Sequence, residues 1–333
     1  MLDRDFPPRD AVRRVPVTGL FTMKKLVNPR SRLTLTLADV ARRLPPRWLP
    51  AISTCIGEAL YRLRRRRRRE VLKRCRRLME LTGLTHDPAR LTRTFFHRQF
   101  LLMTSSYVFQ DAGSAAWRDG LVRIEGLEPV RAALDAGRGV LVATMHFGTN
   151  QLSFAHLEHL GYKVAAMRPA SMASVKSPRE RRMLFIHGSP VFVGGDSGLA
   201  SSVRAAVRAL QEGHILGVAM DGDQGGGLTG LPLLGGTYPL RVGGLEIARL
   251  AKAPLTFALG TFADGTYRVR FTPLLEPGDE DPAVVSDRFL RICMETFEAS
   301  IREHPDCVWF TRPMDCALGL AAQPAADEVT EGD

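Results

Sequence analysis

GVLVATMHFGTNQ, residues 139–151, combines an apolar run, a histidine and the start of a helix. Its first seven residues are small or apolar, which is typical of a strand that is buried on both faces. His146 follows this run directly. Thr149 or Asn150 can then cap a helix whose first turn contains Gln151. The segment therefore predicts a buried strand, a turn that carries a histidine, and a helix.

Similar apolar runs recur further along the chain, with helical patterns between them. They are KVAAM at 163–167, PVFVG at 190–194 and ILGVAM at 215–220, and the helical patterns cover 150–160, 178–187 and 198–212. Two later strands, at 253–260 and 267–273, are joined by an Ala-Asp-Gly turn. Buried strands that alternate with helices indicate a sheet covered on both faces. The predicted fold class is α/β, with a mostly parallel central sheet that has helices on both faces, preceded by an N-terminal amphipathic helical segment.

Charged side chains follow several of these strands. His146 comes after the first run, Arg168 after KVAAM, and Asp221 and Asp223 after ILGVAM. Ligands of open parallel sheets bind beyond the carboxyl ends of the strands. We therefore expect these four side chains to meet at one edge of the sheet, although up to 77 positions separate them in sequence.

His146 is the candidate general base at that edge. A side chain in the first turn of the following helix, such as that of Gln151, can reach back and hold the Nδ1–H of the imidazole. Nε2 can then take a proton from the hydroxyl group of an acceptor.

The motifs, in their order and spacing, resemble those of the bacterial lipid A late acyltransferases, the lauroyl and myristoyl transferases of the lysophospholipid acyltransferase superfamily. The resemblance covers residues 45–315 and is carried by MHFGTNQLS (145–153), MRP (167–169), MDGDQGG (220–226), GGTYPLRVGGLEIARLAKAPL (235–255) and IREHPDCVWFTRPMD (301–315). It implies transfer of a fatty acyl group from acyl-CoA or acyl carrier protein to a hydroxyl of a lipid, glycolipid or other amphiphilic acceptor. The donor is a co-substrate, so no cofactor and no metal are expected.

The resemblance also implies roles for individual residues. His146 matches the histidine of the family's His-x-x-x-x-acid dyad, and Arg168 matches an Arg-Pro element that is implicated in binding the anionic acceptor. Asp221 and Asp223 match an Asp-x-Asp element. We further expect Gly148 and Asn150 to lie at the substrate, with backbone amides near Gly148 as candidate oxyanion donors.

The sequence departs from the family pattern at one position of the dyad, because Gln151 stands where the family has Asp or Glu. A glutamine oxygen can accept the Nδ1–H, but it carries no charge that would stabilise an imidazolium. Either the site is slow, or Asp221 or Asp223 replaces the missing acid, or the protein is a non-catalytic relative that binds a lipid or carrier protein. Glu158 is a poor substitute, since it lies ~10.5 Å further along the helix.

The basic residues of the chain are concentrated in one block. Eleven of the sixteen residues from Arg62 to Arg77 are basic and only Glu70 is acidic. An apolar stripe precedes the block at Trp48, Leu49, Ile52, Ile56 and Leu60. Together they predict a helix on an anionic membrane surface, although a helix packed on its own domain or a polymer-binding block fits the same pattern. The block lacks interleaved aromatic residues, so no nucleic-acid partner is expected.

These observations predict four segments and a cellular location. The segments are an irregular N-terminal part (1–43), a membrane-associating helical part with the arginine block (44–112), the acyltransferase-like α/β domain (113–318) and a disordered acidic tail (319–333). Five unpatterned cysteines fit a reducing compartment. We expect a peripheral protein on the cytoplasmic face of the inner membrane.

Overall fold

The computed structural model describes residues 29–85, 87–109, 120–183, 190–193, 198–222, 227–278 and 280–322. Four helices come first: α1 (Pro29–Arg42), α2 (Leu49–Leu63), α3 (Arg65–Thr82) and α4 (Pro88–Phe109). Strands and helices then alternate: β1 (Val122–Glu125), α5 (Glu128–Asp135), β2 (Val140–Thr144), α6 (Leu152–His159), β3 (Val164–Pro169), α7 (Pro178–Met183), β4 (Val191–Val193), α8 (Gly198–Gln211) and β5 (Ile215–Ala219). The C-terminal elements are β6 (Leu228–Leu233), β7 (Gly236–Arg241), α9 (Gly243–Ala251), β8 (Leu255–Ala263), β9 (Thr266–Phe271), α10 (Pro282–Glu303) and α11 (Arg312–Ala317).

Seven strands form the central sheet, in the order β1-β9-β8-β2-β5-β3-β4. All neighbours are parallel except β8 and β9, which pair antiparallel through the predicted Ala-Asp-Gly turn. β6 and β7 form a separate antiparallel hairpin. The central strand β2 is buried along its whole length. The predicted mostly parallel α/β architecture is confirmed.

The register of β2 and β5 determines which side chains share the carboxyl edge. Thr144 pairs with Ala219, and the N–H of Met220 donates to the carbonyl of Thr144 at 2.9 Å. Two residues beyond this pair, His146 and Asp221 come to lie side by side. The prediction that residues 75 positions apart meet at this edge is correct for these two.

The apolar stripe of α2 faces the protein. Leu49 is buried, Ile52 and Ile56 pack against the core, and Gly57 lies so close to α4 that an added Cβ would overlap the backbone of Phe96. Leu49, Ile52 and Ile56 therefore pack against the protein, where a membrane contact was expected, and the membrane association of this segment stays a prediction. Trp48 remains 54% exposed.

Part of the N-terminal segment expected to be irregular is helix α1. Leu35, Ala38 and Ala41 are buried on its inner face, at helical spacing. The sequence obscures this face, because Leu33, Leu35 and Leu37 alternate with polar residues as in a strand. Residues 1–28 and the tail from 323 onward lie outside the described residues.

The arginine block lies largely on α3 and is divided between two faces. Arg74 donates to both carboxylate oxygens of Asp315 at 2.7 Å, and Arg77 donates to the carbonyl of Leu318 at 3.0 Å. These two arginines attach α3 to the C-terminal part of the protein. The exposed arginines of the block are Arg62, Arg65, Arg66, Arg69 and Arg76. In the described part of the chain, every helix is too short or too polar to cross a bilayer.

Candidate active site

His146 and Asp221 form a closely bonded pair at the carboxyl edge of the sheet. His146 Nδ1 lies 2.8 Å from Asp221 Oδ1, and the backbone N–H of His146 donates to both carboxylate oxygens, at 3.1 and 2.9 Å. The side chain of Asp221 is fully buried, whereas that of His146 is 34% exposed. The pair therefore presents an imidazole to solvent and holds it from behind with a buried carboxylate.

The negative charge of Asp221 is stabilised by its neighbours. Burial by itself raises the pKa of a carboxyl group, but the facing His146 and hydrogen bonds from His146 and Tyr238 outweigh it. Together they hold the pKa of Asp221 below its ordinary value. The carboxylate is thus ionised at neutral pH and fixes the tautomer in which His146 carries its proton on Nδ1.

Gln151 has a different neighbour. Its Oε1 accepts a hydrogen bond from the hydroxyl of Ser106 on α4 at 3.1 Å. The acid partner of the imidazole is therefore Asp221, which follows the neighbouring strand β5. This was one of the alternatives that the sequence left open. Gln151 instead links the start of α6 to α4.

Two of the remaining predicted site residues, Arg168 and Asn150, lie within the described part of the chain. Arg168 is half-buried at the end of β3, and burial lowers its pKa to about 10, which leaves the guanidinium charged at neutral pH. Asn150 is buried, and its carbonyl accepts a bond from Ser153 at 2.9 Å. Asp223 lies outside the described residues. Those residues contain no group of three or more His, Cys, Asp or Glu side chains that could hold a metal ion.

Gly148 makes a close crossing with β8 and does not supply an oxyanion donor. Its N–H donates to the carbonyl of Cys307 at 2.7 Å, and the next N–H, of Thr149, donates to the carbonyl of Gly260 at 2.9 Å. The amides of Gly148 and Thr149 are therefore used to hold the turn and are not the oxyanion donors expected near Gly148, while a place for Gly148 at the substrate stays a prediction. A Cβ at Gly148 would overlap the Gly260 carbonyl oxygen.

Two aromatic residues that sequence reasoning missed complete the site. The hydroxyl of Tyr238, on β7, donates to Asp221 Oδ2 at 2.8 Å. Trp309 donates from Nε1 to the Gly148 carbonyl at 3.0 Å, and its ring centroid lies 5.9 Å from that of His146. Both residues lie in segments that carry the family resemblance, but nothing in the pattern around an isolated aromatic residue indicates its partner.

Comparison with known proteins assigns the chain to a family. Its sequence matches the profile of the bacterial lipid A biosynthesis acyltransferases over residues 24–313. The chain belongs to this family. The resemblance that the sequence motifs indicated is thereby confirmed for this member of the lipid A biosynthesis acyltransferase family.

The structure was also compared with solved structures. It is similar to the crystal structure of the 1-acyl-sn-glycerophosphate (LPA) acyltransferase PlsC from Thermotoga maritima, with 13% sequence identity and a TM-score of 0.39. The similarity covers 85% of this chain and 98% of that chain. The comparison with curated proteins found no match.

The crossing at Gly148 gives a first testable prediction for this family member. Gly148→Ala should lower the melting temperature and reduce any turnover by ~100-fold or more, because the turn that carries His146 must move away from β8. The φ of +49° adds only the smaller part of the strain, since Lys252 and Asp264 adopt +52° and +51° with side chains. Differential scanning fluorimetry and kinetics check the effect.

Gly161→Ala is the matched control. Gly161 has a φ of +92°, and a Cβ there meets no atom within 4 Å. This variant should show only the modest strain of a left-handed backbone. Equal behaviour of the two variants would contradict the importance of the crossing.

Proposed function

We propose that this protein transfers a fatty acyl group from a thioester donor, acyl-CoA or acyl carrier protein, to a hydroxyl of a lipid, glycolipid or other amphiphilic acceptor. The observation that carries the proposal is the 2.8 Å contact between His146 Nδ1 and Asp221 Oδ1, in a member of the lipid A biosynthesis acyltransferase family. A partly exposed imidazole held by a buried carboxylate is the arrangement that general-base activation of a hydroxyl requires.

The reaction then proceeds in two steps. Nε2 of His146 takes the proton of the acceptor hydroxyl. The oxygen of that hydroxyl attacks the carbonyl carbon of the thioester, and a tetrahedral oxyanion forms. The intermediate collapses, the carbon–sulfur bond breaks, and the leaving thiolate takes the proton from the imidazolium. Asp221 stabilises the imidazolium between these two steps, because an ionised carboxylate favours the charged form of the ring.

Arg168 is the proposed binding residue for an anionic group of the acceptor. It lies near the end of β3, the strand next to β5 on the side opposite to β2, and it retains its positive charge when half-buried. A planar guanidinium suits phosphate and carboxylate groups. Asp223 is proposed as a further site residue from its place in the Asp-x-Asp element.

The function is tested by supplying both kinds of donor. The purified protein is incubated with acyl-CoA and acyl carrier protein that bear saturated chains of different lengths, together with lipids extracted from cells in which the gene is deleted. We expect mass spectrometry to detect an acceptor that gains the mass of one acyl group. Binding of lipid without any acyl transfer, from every donor, would favour the non-catalytic relative instead.

We also propose that the protein works on an anionic membrane surface, at the cytoplasmic face of the inner membrane. The exposed large apolar side chains of the N-terminal helices support this proposal: Leu33 is 62% exposed, Val40 52% and Leu63 79%. The exposed arginines of the block lie in the same part of the chain. Apolar side chains beside basic ones are suited to the headgroup region of a bilayer.

A vesicle experiment checks the membrane proposal. The variant Arg65→Gln/Arg66→Gln/Arg69→Gln should weaken sedimentation with anionic vesicles by about 100-fold, because each basic residue contributes ~1 kcal/mol at such a surface. The control variant Arg123→Gln/Arg204→Gln/Arg208→Gln removes three other exposed arginines and should change binding little. Equal binding of the wild type to neutral and anionic vesicles would refute the electrostatic contribution.

A further inference from the structure

The carboxylate behind His146 has a second anchor, which comes from outside the central sheet. Tyr238 lies on the β6–β7 hairpin and is completely buried, and its hydroxyl donates to Asp221 Oδ2 at 2.8 Å. Asp221 Oδ1 is the oxygen that faces His146 Nδ1. We infer that Tyr238 is a positioning residue for the reaction, which fixes the carboxylate of Asp221 and thereby sets the basicity of His146. The inference rests on the proposed function for its kinetic consequences only.

The hydroxyl of Tyr238 donates a hydrogen bond and keeps its proton. Burial, the largest cause, and the facing carboxylate of Asp221 raise the pKa of Tyr238 well above its ordinary value. The phenol therefore stays neutral across the pH range in which a histidine titrates. A neutral donor that cannot ionise is a constant feature of the site, whereas the imidazole changes its charge.

The ring of Tyr238 is held on several sides. Its centroid lies 5.4 Å from that of Phe297 on α10, at an interplanar angle of 61°. Thr311, the residue that caps α11, also interacts with the phenol and acts to lower its pKa. A chain of contacts thus runs from His146 through Asp221 to Tyr238, and Tyr238 holds the carboxylate oxygen that does not face His146 Nδ1.

The titratable groups around this chain are few in the described part of the protein. Tyr238 faces Asp221 and, more weakly, the thiol of Cys316 on α11. Asp221 faces His146 and Tyr238. The nearest basic residue on β7 is Arg241, whose backbone N–H donates to the carbonyl of Met220. Burial raises the pKa of Cys316, so this thiol is neutral as well.

The variant Tyr238→Phe removes one oxygen atom and keeps the ring. Without the phenol the carboxylate has one donor fewer, so it attracts the proton of the imidazolium more strongly and the pKa of His146 should rise. We expect an upward shift of about 0.5 to 1 pH unit in the titration of His146, which is followed by NMR. The His146→Gln variant identifies the resonance among those of the eight histidines. In turnover we expect kcat to fall about 10-fold with KM nearly unchanged, and the acidic limb of the pH profile to move upward by the same amount.

Tyr267→Phe is the matched control. Tyr267 is also buried, but its hydroxyl has no hydrogen-bond partner among the described residues. Removing that oxygen should leave both the titration of His146 and kcat as in the wild type. An effect as large in this control as in Tyr238→Phe would overturn the inference.

A third variant protects the test against a folding defect. Difluorotyrosine at position 238 keeps the ring and strengthens the donor, so the titration of His146 should move downward. If the titration of His146 is the same with tyrosine, phenylalanine and difluorotyrosine at position 238, Tyr238 is only a structural residue. The NMR titration needs no turnover, so failure of the proposed acyl transfer and failure of this inference are distinguished.

Discussion

His146→Ala is expected to lower acyl transfer by at least ~10⁴-fold, because the variant loses both the base that activates the hydroxyl and the acid that protonates the leaving thiolate. Folding should be retained, since the imidazole lies at a strand exit and is 34% exposed. KM for the donor should change little, because proton transfer occurs in the transition state and not in substrate binding. Single-turnover kinetics with a radiolabelled acyl donor measure the effect.

His159→Ala is the control for this variant. His159 is a half-buried histidine at the end of α6, away from the carboxyl edge of the sheet, so its removal should leave turnover near that of the wild type. A folded His146→Ala variant that retains turnover would remove His146 from the mechanism.

Asp221→Asn is expected to lower kcat by about 10³- to 10⁴-fold, as the corresponding change does in a serine protease triad. The amide retains the shape of the side chain but loses the charge that stabilises the imidazolium. Its NH₂ group would also face the donors that now meet the carboxylate, the His146 backbone N–H and the Tyr238 hydroxyl. With the NH₂ group in the Oδ1 position, it would donate to Nδ1 and hold the ring in the wrong tautomer. In either orientation kcat should fall and donor binding should remain.

Gln151→Glu is the informative partner of this variant. The side-chain oxygen of Gln151 accepts a hydrogen bond from the Ser106 hydroxyl. A carboxylate at position 151 would therefore contact this hydroxyl and not the imidazole of His146. We expect turnover within about threefold of the wild type, since Asp221 already supplies the charge. The opposite pattern, a tolerated Asp221→Asn with a gain of tenfold or more in Gln151→Glu, would assign the dyad to Gln151 and contradict the role of Asp221.

Most strands of the central sheet, and the edge at which His146 lies, were accessible from the sequence, because buried parallel strands appear in it as continuous apolar runs. The runs at 139–145 and 215–220 correspond to β2 and β5. The residues after them, His146 and Asp221, were predicted to meet because carboxyl ends of parallel strands share one edge. Family membership was also accessible, because it depends on the order and spacing of motifs along the chain.

The faces of the N-terminal helices were not accessible in this way. An apolar stripe such as Leu49, Ile52 and Ile56 has the same pattern whether a bilayer or another helix covers it. Here α4 covers it, and the structure alone reveals this packing. The same holds for the arginine block, in which Arg74 and Arg77 turn inward to partners more than 200 positions away.

What the sequence determined by itself is therefore most strands of the central sheet, the edge at which His146 and Asp221 meet and the residue types at that edge. Only the tertiary structure decided which acceptor His146 Nδ1 uses. Gln151 is five positions from His146 in sequence, and Asp221 is 75 positions away. Strand register nevertheless brings Asp221 Oδ1 to 2.8 Å from His146 Nδ1, whereas Gln151 accepts a hydrogen bond from Ser106. Tyr238 reaches the same carboxylate from a hairpin outside the sheet. Side-chain partners depend on register and packing between distant segments, and local periodicity carries no information about either.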